Sequence, residues 1–568
     1  MKSPSEAIPR DTLCTFLTKC QRCIKNWLPL DFKKEFIQLF KLAGPVIISQ
    51  LMVFLINFVS TVFCGHLGEA ELAGVALAIS VINVTGVSVG TGLASACDTL
   101  ISQTYGSGNL KRVGVLLQRG VLILLLACFP CWTILVNTEP MLLAVKQSPE
   151  VARLSQLYVN IFMPALPAVF MYQLQGRYLQ NQGIIWPQVI TGVIGNVINA
   201  LINYILLYVL DMGVAGSAAA NAITQSALAL ILYIYIYCMG LHKATWSGWS
   251  LDCLQEWALF SKMAISSMLM LCLEWWTFEI GGLLAGVISE VELGAQSVVH
   301  QMVTIAFVIP MGFGVAASVR VGNALGAGNT EQATTSGKVS VICTFAVSCF
   351  VGIILGSSKS VIGYIFTTEK EIIQRVADVI IIYGFFHPAD AIAVVTGGII
   401  RGTGQPRIGA ICNLVGYYCI GLPIGVALMF AAKMGIIGLW LGMSICFTLQ
   451  GIFFIIFLCK LNWRKAAEEA MVRAGTEKTE TLAVKNTEHA STVRGESQFS
   501  VISSNALSYE ECSSDVQVLG QGRDASSDAA APQRLTRRLL VHRGLTVLFM
   551  VLTLVVGIIT SKLLLKVK

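Results

Sequence analysis

The chain has 568 residues, of which 55% are hydrophobic and 12% are charged, and its mean hydropathy is +0.71. Soluble globular domains carry about 25% charged residues, so this composition excludes an ordinary soluble enzyme and indicates that lipid surrounds most of the chain. The formal charge of +7 is small for this length and is not gathered in one basic patch, so no nucleic-acid partner is predicted.

Thirteen apolar segments are each about long enough for a helix to cross the ~30 Å hydrocarbon core of a bilayer. Lipid cannot satisfy backbone N–H and C=O groups, so helices are the expected structure. The sequence therefore predicts an all-α membrane protein. Its predicted spans are 36–62, 71–97, 113–137, 151–179, 184–210, 214–239, 256–286, 292–318, 335–357, 373–398, 408–430, 434–459 and 543–561.

Two segments differ from the spans in composition. Residues 1–35 contain no continuous apolar run, so we expect a cytoplasmic N-terminal segment rather than a cleaved signal peptide. Residues 462–538 are rich in Glu, Ser, Thr, Gly and Ala, which cannot bury enough apolar area to offset the entropy of ordering. This composition predicts a disordered cytoplasmic linker that tethers the last helix. Cys20 and Cys23 lack a second ligand pair, so no metal site is predicted.

Positive charge distinguishes the two sides of the membrane, because short cytoplasmic connections carry more Lys and Arg. Alternate connections on one side carry Lys111, Arg112, Arg177, Lys243, Arg320, Lys338, Arg401, Arg407, Lys460, Arg464 and Lys465. The other side carries mainly acids, with Arg153, Lys359, Lys370 and Lys433 as exceptions. The N-terminus is therefore predicted to be cytoplasmic and, with thirteen spans, the short tail 562–568 to be extracellular.

The chain contains an internal repeat. A shift of 220 residues superposes Gly92, Ala96, Gly106, Gly108 and Asn109 on Gly312, Ala316, Gly326, Gly328 and Asn329. Each copy holds six helices, so the copies are parallel and related by a pseudo-two-fold axis along the membrane normal. We predict an N-lobe over 36–239, a C-lobe over 240–461, and a thirteenth helix with its tail over 539–568. Two such bundles are typical of secondary transporters, with the substrate site between them.

Ionisable groups inside hydrocarbon are costly and are functional candidates by default. Glu274 lies near the middle of the seventh span, whereas the repeat-equivalent residue of the first span is Val53. A carboxylate beside Trp275, Trp276 and Phe278 can attract an organic cation by charge and by cation–π contact. Burial also disfavours a charged carboxylate, which makes Glu274 the predicted proton-coupling residue. The alternative is a Glu that a neighbouring hydroxyl satisfies and that serves packing only.

Further polar residues on the spans are weaker candidates for the substrate site. Glu279 lies about 140° around the helix from Glu274, so the two cannot share a face. His387 and Asp390 are three residues apart and are expected to be neighbours, as a second protonatable position or as a structural ion pair. Gln301, next to His300 on the eighth span, is expected to face the same substrate-binding region if the helices are regular. For Asn83, Asp98 and Gln175, a hydrogen bond that serves packing is the favoured interpretation. Cys64 ends the first span near the outer face, where its accessibility is of more interest than catalysis. No pattern for a catalytic triad, a metal cluster or a nucleotide loop is present in the sequence, so no enzyme activity, cofactor or nucleotide is predicted.

Several motifs together resemble the multidrug and toxin extrusion transporters: Leu42-Ala-Gly-Pro45, Cys97-Asp-Thr-Leu-Ile-Ser-Gln-Thr-Tyr-Gly106, Leu273-Glu-Trp-Trp276, Ala317-Ser-Val-Arg-Val-Gly-Asn-Ala-Leu-Gly-Ala-Gly328 and Arg401-Gly-Thr-Gly404. The helix after a long linker is similar to that of the vertebrate members. The resemblance implies two lobes of six helices, proton-coupled export of organic cations, and a location in the apical plasma membrane of polarised epithelium. It carries the family's functional acids over to Glu274 and Glu279. Close vertebrate relatives have Glu where this chain has Gln301 and Asp390.

The functional hypothesis is therefore an antiporter. Outward-facing Glu274 takes a proton and releases an organic cation, and inward-facing Glu274 then loses the proton and accepts another cation. One alternative is a lipid-linked oligosaccharide flippase of related architecture, which would need a basic cleft for pyrophosphate. Another is a receptor or scaffold that uses residues 462–538 to bind partners. The sequence leaves the substrates and the oligomeric state open.

Overall fold

The computed structural model describes residues 32–64, 68–367, 369–475 and 530–566, which form helices and connections without strands. Within these ranges, thirteen helices are long and apolar enough to cross a membrane, as predicted. We label them α1 (Phe32–Cys64), α2 (Ala70–Gly106), α3 (Leu110–Leu135), α4 (Pro149–Asn181), α5 (Trp186–Val209), α6 (Gly213–Cys238), α7 (Trp257–Ile288), α8 (Glu290–Gly326), α9 (Thr330–Ser357), α10 (Lys370–Gly402), α11 (Pro406–Ala431), α12 (Ile436–Lys460) and α13 (Ala530–Lys566).

Helix α1 starts four residues before the predicted span. Glu35, which the sequence placed in the peripheral segment 1–35, is buried on α1. It forms an ion pair with Arg320 of α8 and accepts a hydrogen bond from Ser336 of α9 at 2.9 Å. A buried charge needs such a partner, and the partner lies far away in the sequence. Residues 1–31 lie outside the described part of the chain.

Helices α2 and α8 are longer than predicted, ending at Gly106 and Gly326 rather than near residues 97 and 318. Each is followed by a glycine of positive φ, Gly108 (79°) and Gly328 (73°), a conformation that glycine adopts without strain. An asparagine then caps the next helix, since Asn109 accepts from the Arg112 amide and Asn329 from the Gln332 amide. The same turn therefore follows α2 in the first copy of the repeat and α8 in the second.

The two lobes meet closely at the ends of α2 and α8, which we call the Gly106 end of the bundle. A side chain at Gly106 would collide with the backbone of Asn323, and one at Gly326 with the backbone of Gln103. The backbones of the two helices therefore approach as only glycine allows. Polar side chains near this end are paired across the lobes, since Gln103 donates to the Gly402 carbonyl at 2.9 Å. This hydrogen bond gives a polar side chain at the end of α2 a partner in the other lobe.

A short helix, Trp463–Ala474, follows α12 and covers the Gly106 end. Ala466, Ala467, Ala470 and Ala474 form its buried face. The prediction of disorder from residue 462 is therefore wrong for this helix. Its overall composition is polar, but small apolar residues recur at helical spacing and pack on α2, α8 and α9. Residues 476–529 of the predicted linker lie outside the described part of the chain.

Helix α13 packs on the outside of the N-lobe against α3. Asn137 donates to the Gly557 carbonyl at 3.1 Å, and Ser561 donates to the Val136 carbonyl at 3.1 Å. At the other end of α13, the Arg543 guanidinium lies 4.0 Å from the Trp257 ring centroid at the start of α7. The thirteenth helix thus lies outside the repeat, as predicted, yet it contacts the beginning of the C-lobe.

Candidate functional site

The acidic pair Glu274 and Asp390 lies inside the C-lobe. Glu274 is partly buried near the middle of α7, and Asp390 is buried on α10. Their charges interact with each other, and both interact with the hydroxyl of Tyr417 on α11. The sequence assigned the two acids to separate clusters, but the fold brings α7, α10 and α11 together and makes them one site.

Asp390 is held by side chains of its own helix. The Tyr383 hydroxyl donates to Asp390 Oδ2 at 3.0 Å and lies 3.1 Å from His387 Nδ1. All three residues are buried, and their spacing of four and three residues places them on one helix face. The structure thus brings His387 and Asp390 together, although it does so through Tyr383. Sequence reasoning missed Tyr383, which a search for polar residues one turn away would have found.

The aromatic residues around Glu274 do not form a single surface. The Trp276 indole donates to the Val84 carbonyl of α2 at 3.1 Å, so this ring faces the N-lobe. Phe278 points into the C-lobe, where its ring lies 6.1 Å from Trp440 and 5.7 Å from His300. Trp275 is partly buried. Successive residues of a helix are about 100° apart, so neighbours in sequence face different partners. Trp440, which sequence reasoning missed, packs against both Phe278 and Tyr383.

Glu279 faces the other lobe, one of the two positions left open by its angular separation from Glu274. It accepts a hydrogen bond from Ser80 of α2 at 2.6 Å and interacts electrostatically with His300. Gln301 is exposed, whereas its neighbour His300 is partly buried beside Phe278. The rotation of α8 about its axis therefore makes His300, and not Gln301, face the interior.

The polar candidates of the N-lobe have structural partners. Asp98 forms a buried ion pair with Arg177 of α4 at 3.3 Å, and Cys64 donates to Ser217 at 3.0 Å. Asn83 begins a short π-helical segment of α2. Gln175 is partly buried on α4. The two lobes differ at these candidates: Asp98 has a salt-bridge partner, whereas Glu274, Glu279 and Asp390 form no salt bridge within 4 Å among the described residues.

The site as a whole is a partly buried acidic position with aromatic neighbours. It can bind a positively charged group by charge, and its carboxylates can accept protons. Within the described ranges, the side chains form no cluster of His, Cys, Asp and Glu able to hold a metal ion. The arrangement fits exchange of cationic species better than covalent chemistry.

Comparison with known proteins identifies the family. The MatE family model matches residues 45–205 and 266–427, one match in each lobe. Multidrug and toxin extrusion protein 1 of Danio rerio is 61% identical over 560 residues, covering 97% of this chain and 94% of that protein. The human protein of the same name is 54% identical over 476 residues, covering 84% and 83%.

Solved structures agree with this assignment. The eukaryotic MATE transporter AtDTX14 matches with a TM-score of 0.75 at 30% identity, covering 78% of this chain and 99% of that one. A MATE structure in the bent conformation shares the fold with a TM-score of 0.66 at 16% identity. The relatives are named as extrusion proteins and transporters, so a multi-pass membrane protein of drug efflux is the activity class that they support. The chain belongs to the multidrug and toxin extrusion family, as its motifs predicted.

Proposed function

We propose that this protein exports organic cations in exchange for protons, by alternating access between its two lobes. The observation that carries the proposal is the placement of Glu274 and Asp390 in one partly buried site near the middle of the seventh span. A carboxylate in this setting is neutralised either by a proton or by a bound cation. Competition between the two at Glu274 is the simplest coupling of cation export to proton entry.

The contacts between the lobes fit a state that is closed at the Gly106 end. The Gly106 end, which the charge bias places on the cytoplasmic side, is closed by backbone contact between α2 and α8. Nearer the other side, the lobes meet through side chains, as in the Ser80–Glu279 hydrogen bond. Side-chain contacts of this kind break and re-form more readily than packed backbones. In this state Glu274 would take a proton and release its cation to the outside.

The charge balance of the proposed cycle predicts how transport depends on membrane potential. One proton that enters for each monovalent cation that leaves moves no net charge, and membrane potential acts only on net charge. Transport is therefore expected to follow the pH gradient and to be nearly independent of voltage. The location proposed from the resemblance to the vertebrate members is the apical plasma membrane of an epithelium, with a cytoplasmic N-terminus and an extracellular C-terminus.

The test is uptake of radiolabelled tetraethylammonium into proteoliposomes that contain the purified full-length chain. An outward-directed proton gradient should drive accumulation, and collapsing that gradient with a protonophore should abolish it. A potassium diffusion potential without a pH gradient should have little effect. Tetraethylammonium flux that ignores the pH gradient would contradict proton coupling, and the absence of flux would contradict organic-cation transport.

A further inference from the structure

Five buried or partly buried charged side chains lie at the lobe interface or inside the C-lobe next to it. Asp98 and Arg177 form their ion pair in the N-lobe, toward the Gly106 end. Arg401 is the last residue but one of α10, where its charge interacts with that ion pair, and Asp390 lies eleven residues earlier on that helix, about 16 Å away along its axis. Glu274 interacts electrostatically with both Arg401 and Asp390. Met270, four residues before Glu274, contacts Arg401, so Arg401 stands near both the Glu274 turn of the C-lobe and the N-lobe ion pair.

Arg401 occupies the boundary between the lobes. Its Nη1 lies 3.9 Å from the Sδ of Met270, a buried residue one helical turn before Glu274 on α7. Its backbone carbonyl accepts a hydrogen bond from Thr99 of α2 at 2.5 Å. The side chain thus points toward the Glu274 turn of the C-lobe while the backbone is tied to the N-lobe.

The guanidinium of Arg401 is incompletely paired. Its buried Nε has no hydrogen-bond acceptor among the described residues. Its charge interacts with Asp98 and Arg177 in the N-lobe and with Glu274 in the C-lobe. A guanidinium offers five donors in a planar fork, so a partly satisfied one can change partners between nearby carboxylates.

Charge compensation gives this placement a function. A carboxylate out of water needs a counter-charge, and removing the partner of a buried charge is strongly destabilising. Two charged side chains interact with Glu274. Asp390 is an acid and repels its negative charge, and Arg401 is a cation and attracts it. In the absence of a bound organic cation, Arg401 is therefore the group that can balance an ionised Glu274.

We propose that Arg401 is the internal counter-cation of Glu274, which balances the carboxylate while the site is empty and competes with the organic cation for it. The proposal rests on the function proposed above for Glu274. Arg401 acts through that carboxylate and is a positioning residue. Because Asp98 attracts the same guanidinium from the other lobe, each change of charge at Glu274 alters the attraction across the closed Gly106 end.

The test compares Arg401→Met, which removes the charge, with Arg401→Lys, which keeps it. Arg407→Met is the matched control, because Arg407 is exposed on α11 and six residues away. In proteoliposomes with tetraethylammonium, Arg401→Met should lower KM about tenfold, the size of effect expected when one partly screened positive charge is removed from beside the site. Its kcat should fall, because nothing but a proton then replaces the departing cation.

Arg401→Lys should keep a KM near that of the wild type, and Arg407→Met should change neither constant. A purely structural role would lower kcat or yield without lowering KM. An Arg401→Met protein with an unchanged or raised KM would therefore overturn the proposal.

A second measurement does not depend on transport. In detergent without substrate, Arg401→Met should lower the Tm, and adding Glu274→Gln should restore part of the loss, because the unbalanced carboxylate is gone. If Arg401→Met alone fails to fold, recovery of folded protein in the double variant supports the pairing. Strictly additive effects, or no recovery, would overturn it. Wild-type protein that fails to exchange tetraethylammonium for protons would contradict the proposed function, whereas this Tm cycle would still decide the pairing.

Discussion

Glu274 carries the charge on which the proposed cycle depends, and its surroundings define what a substitution there removes. Glu274 lies near the middle of α7, its charge interacts with those of Asp390 and Arg401, and its repeat-equivalent in the N-lobe is Val53. Duplication therefore produced two similar scaffolds but one acidic site. The other lobe has its own buried acid, Asp98, in a salt bridge with Arg177. If proton entry and cation export are coupled at this one side chain, as proposed, substitutions of Glu274 test the coupling directly.

Glu274→Gln should abolish exchange although the protein still reaches the membrane. The amide keeps the shape of the protonated side chain but cannot balance a cation, and charge-assisted contacts are worth about 1.5–3 kcal/mol, or roughly ten- to a hundredfold in affinity. Glu274→Asp keeps the charge and should weaken binding less. Tetraethylammonium binding and exchange in proteoliposomes measure both. Exchange near the wild-type rate in Glu274→Gln would move the coupling site to Glu279 or to His387 with Asp390.

Asp390→Asn should be milder than Glu274→Gln. The amide oxygen can still accept the Tyr383 hydroxyl, which donates to Asp390 Oδ2 at 3.0 Å, so the side chain stays in place while the charge is lost. We expect a KM for tetraethylammonium raised by about threefold to tenfold, the range of one partly screened charge, with exchange retained. Complete loss of proton-driven exchange in Asp390→Asn, with Glu274 intact, would make Asp390 the coupling acid instead.

Closure of the Gly106 end involves one element outside the repeat, the helix Trp463–Ala474. Arg473 on this helix donates to Gln103 Oε1 of the N-lobe at 3.0 Å and to the Thr403 carbonyl of the C-lobe at 3.3 Å. The Ala474 carbonyl accepts from Asn109 at 3.1 Å. Burial lowers the pKa of the Arg473 guanidinium from its ordinary value, while nearby Glu469 opposes that shift. The helix therefore joins both lobes where the close backbone packing of α2 and α8 holds them together.

Arg473→Ala should loosen the Gly106 end. The change removes charge-assisted hydrogen bonds to both lobes, which typically contribute about 1.5–3 kcal/mol each. Arg464→Ala is the matched control on the same helix, because that side chain is 89% exposed and pairs only within the helix, with Glu468. Hydrogen–deuterium exchange at the ends of α2 and α8 should accelerate in Arg473→Ala and stay unchanged in Arg464→Ala. Equal exchange in the two variants would show that the helix does not hold the lobes together.

At the scale of the whole molecule, the twelve helices of the repeat contain the site and α13 stands beside them. Helix α13 touches α3 and, through Arg543, the start of α7, far along that helix from Glu274. The proposed cation site, by contrast, draws its residues from α7, α10 and α11 within one lobe. These placements predict that the contribution of the C-terminal region to transport depends on where the chain is cut.

Truncation after Gly475 should leave surface-normalised transport intact, whereas truncation after Lys465 should impair it. The first cut removes α13 but keeps the packed helix Trp463–Ala474, and the second also removes most of that helix, with its buried alanines and Arg473. Tetraethylammonium uptake divided by surface-biotinylated protein is the measurement. Loss of all transport after the Gly475 cut would show that α13 is essential, and full transport after the Lys465 cut would show that the short helix is not.

An epitope added after Lys568 should be accessible to antibody on intact cells. A cytoplasmic N-terminus followed by thirteen spans places the C-terminus outside. An epitope before the first span should bind antibody only after permeabilisation, which serves as the control. Binding at the C-terminal epitope only after permeabilisation would contradict the predicted topology.

The amino-acid sequence by itself determined the membrane class, the thirteen spans, the parallel repeat and the candidate acid Glu274. Each of these properties depends on one segment of the sequence. An apolar run, a repeated pattern of glycines and a charge inside an apolar run can be found without knowing what packs against them. The helical period also predicted correctly that Glu279 would face away from Glu274 and that His387 and Asp390 would be neighbours.

Only the tertiary structure decided which side chains from different helices share a site. It joined Asp390 to Glu274, placed Arg401 beside Met270 at the lobe boundary, and gave the inward position on α8 to His300. The rotation of each helix about its axis is set by packing against its neighbours, which hydropathy along one segment does not encode. In a membrane protein that limit is sharper, because lipid-facing and lobe-facing surfaces are both apolar, so the pattern along a span does not reveal which side faces the site.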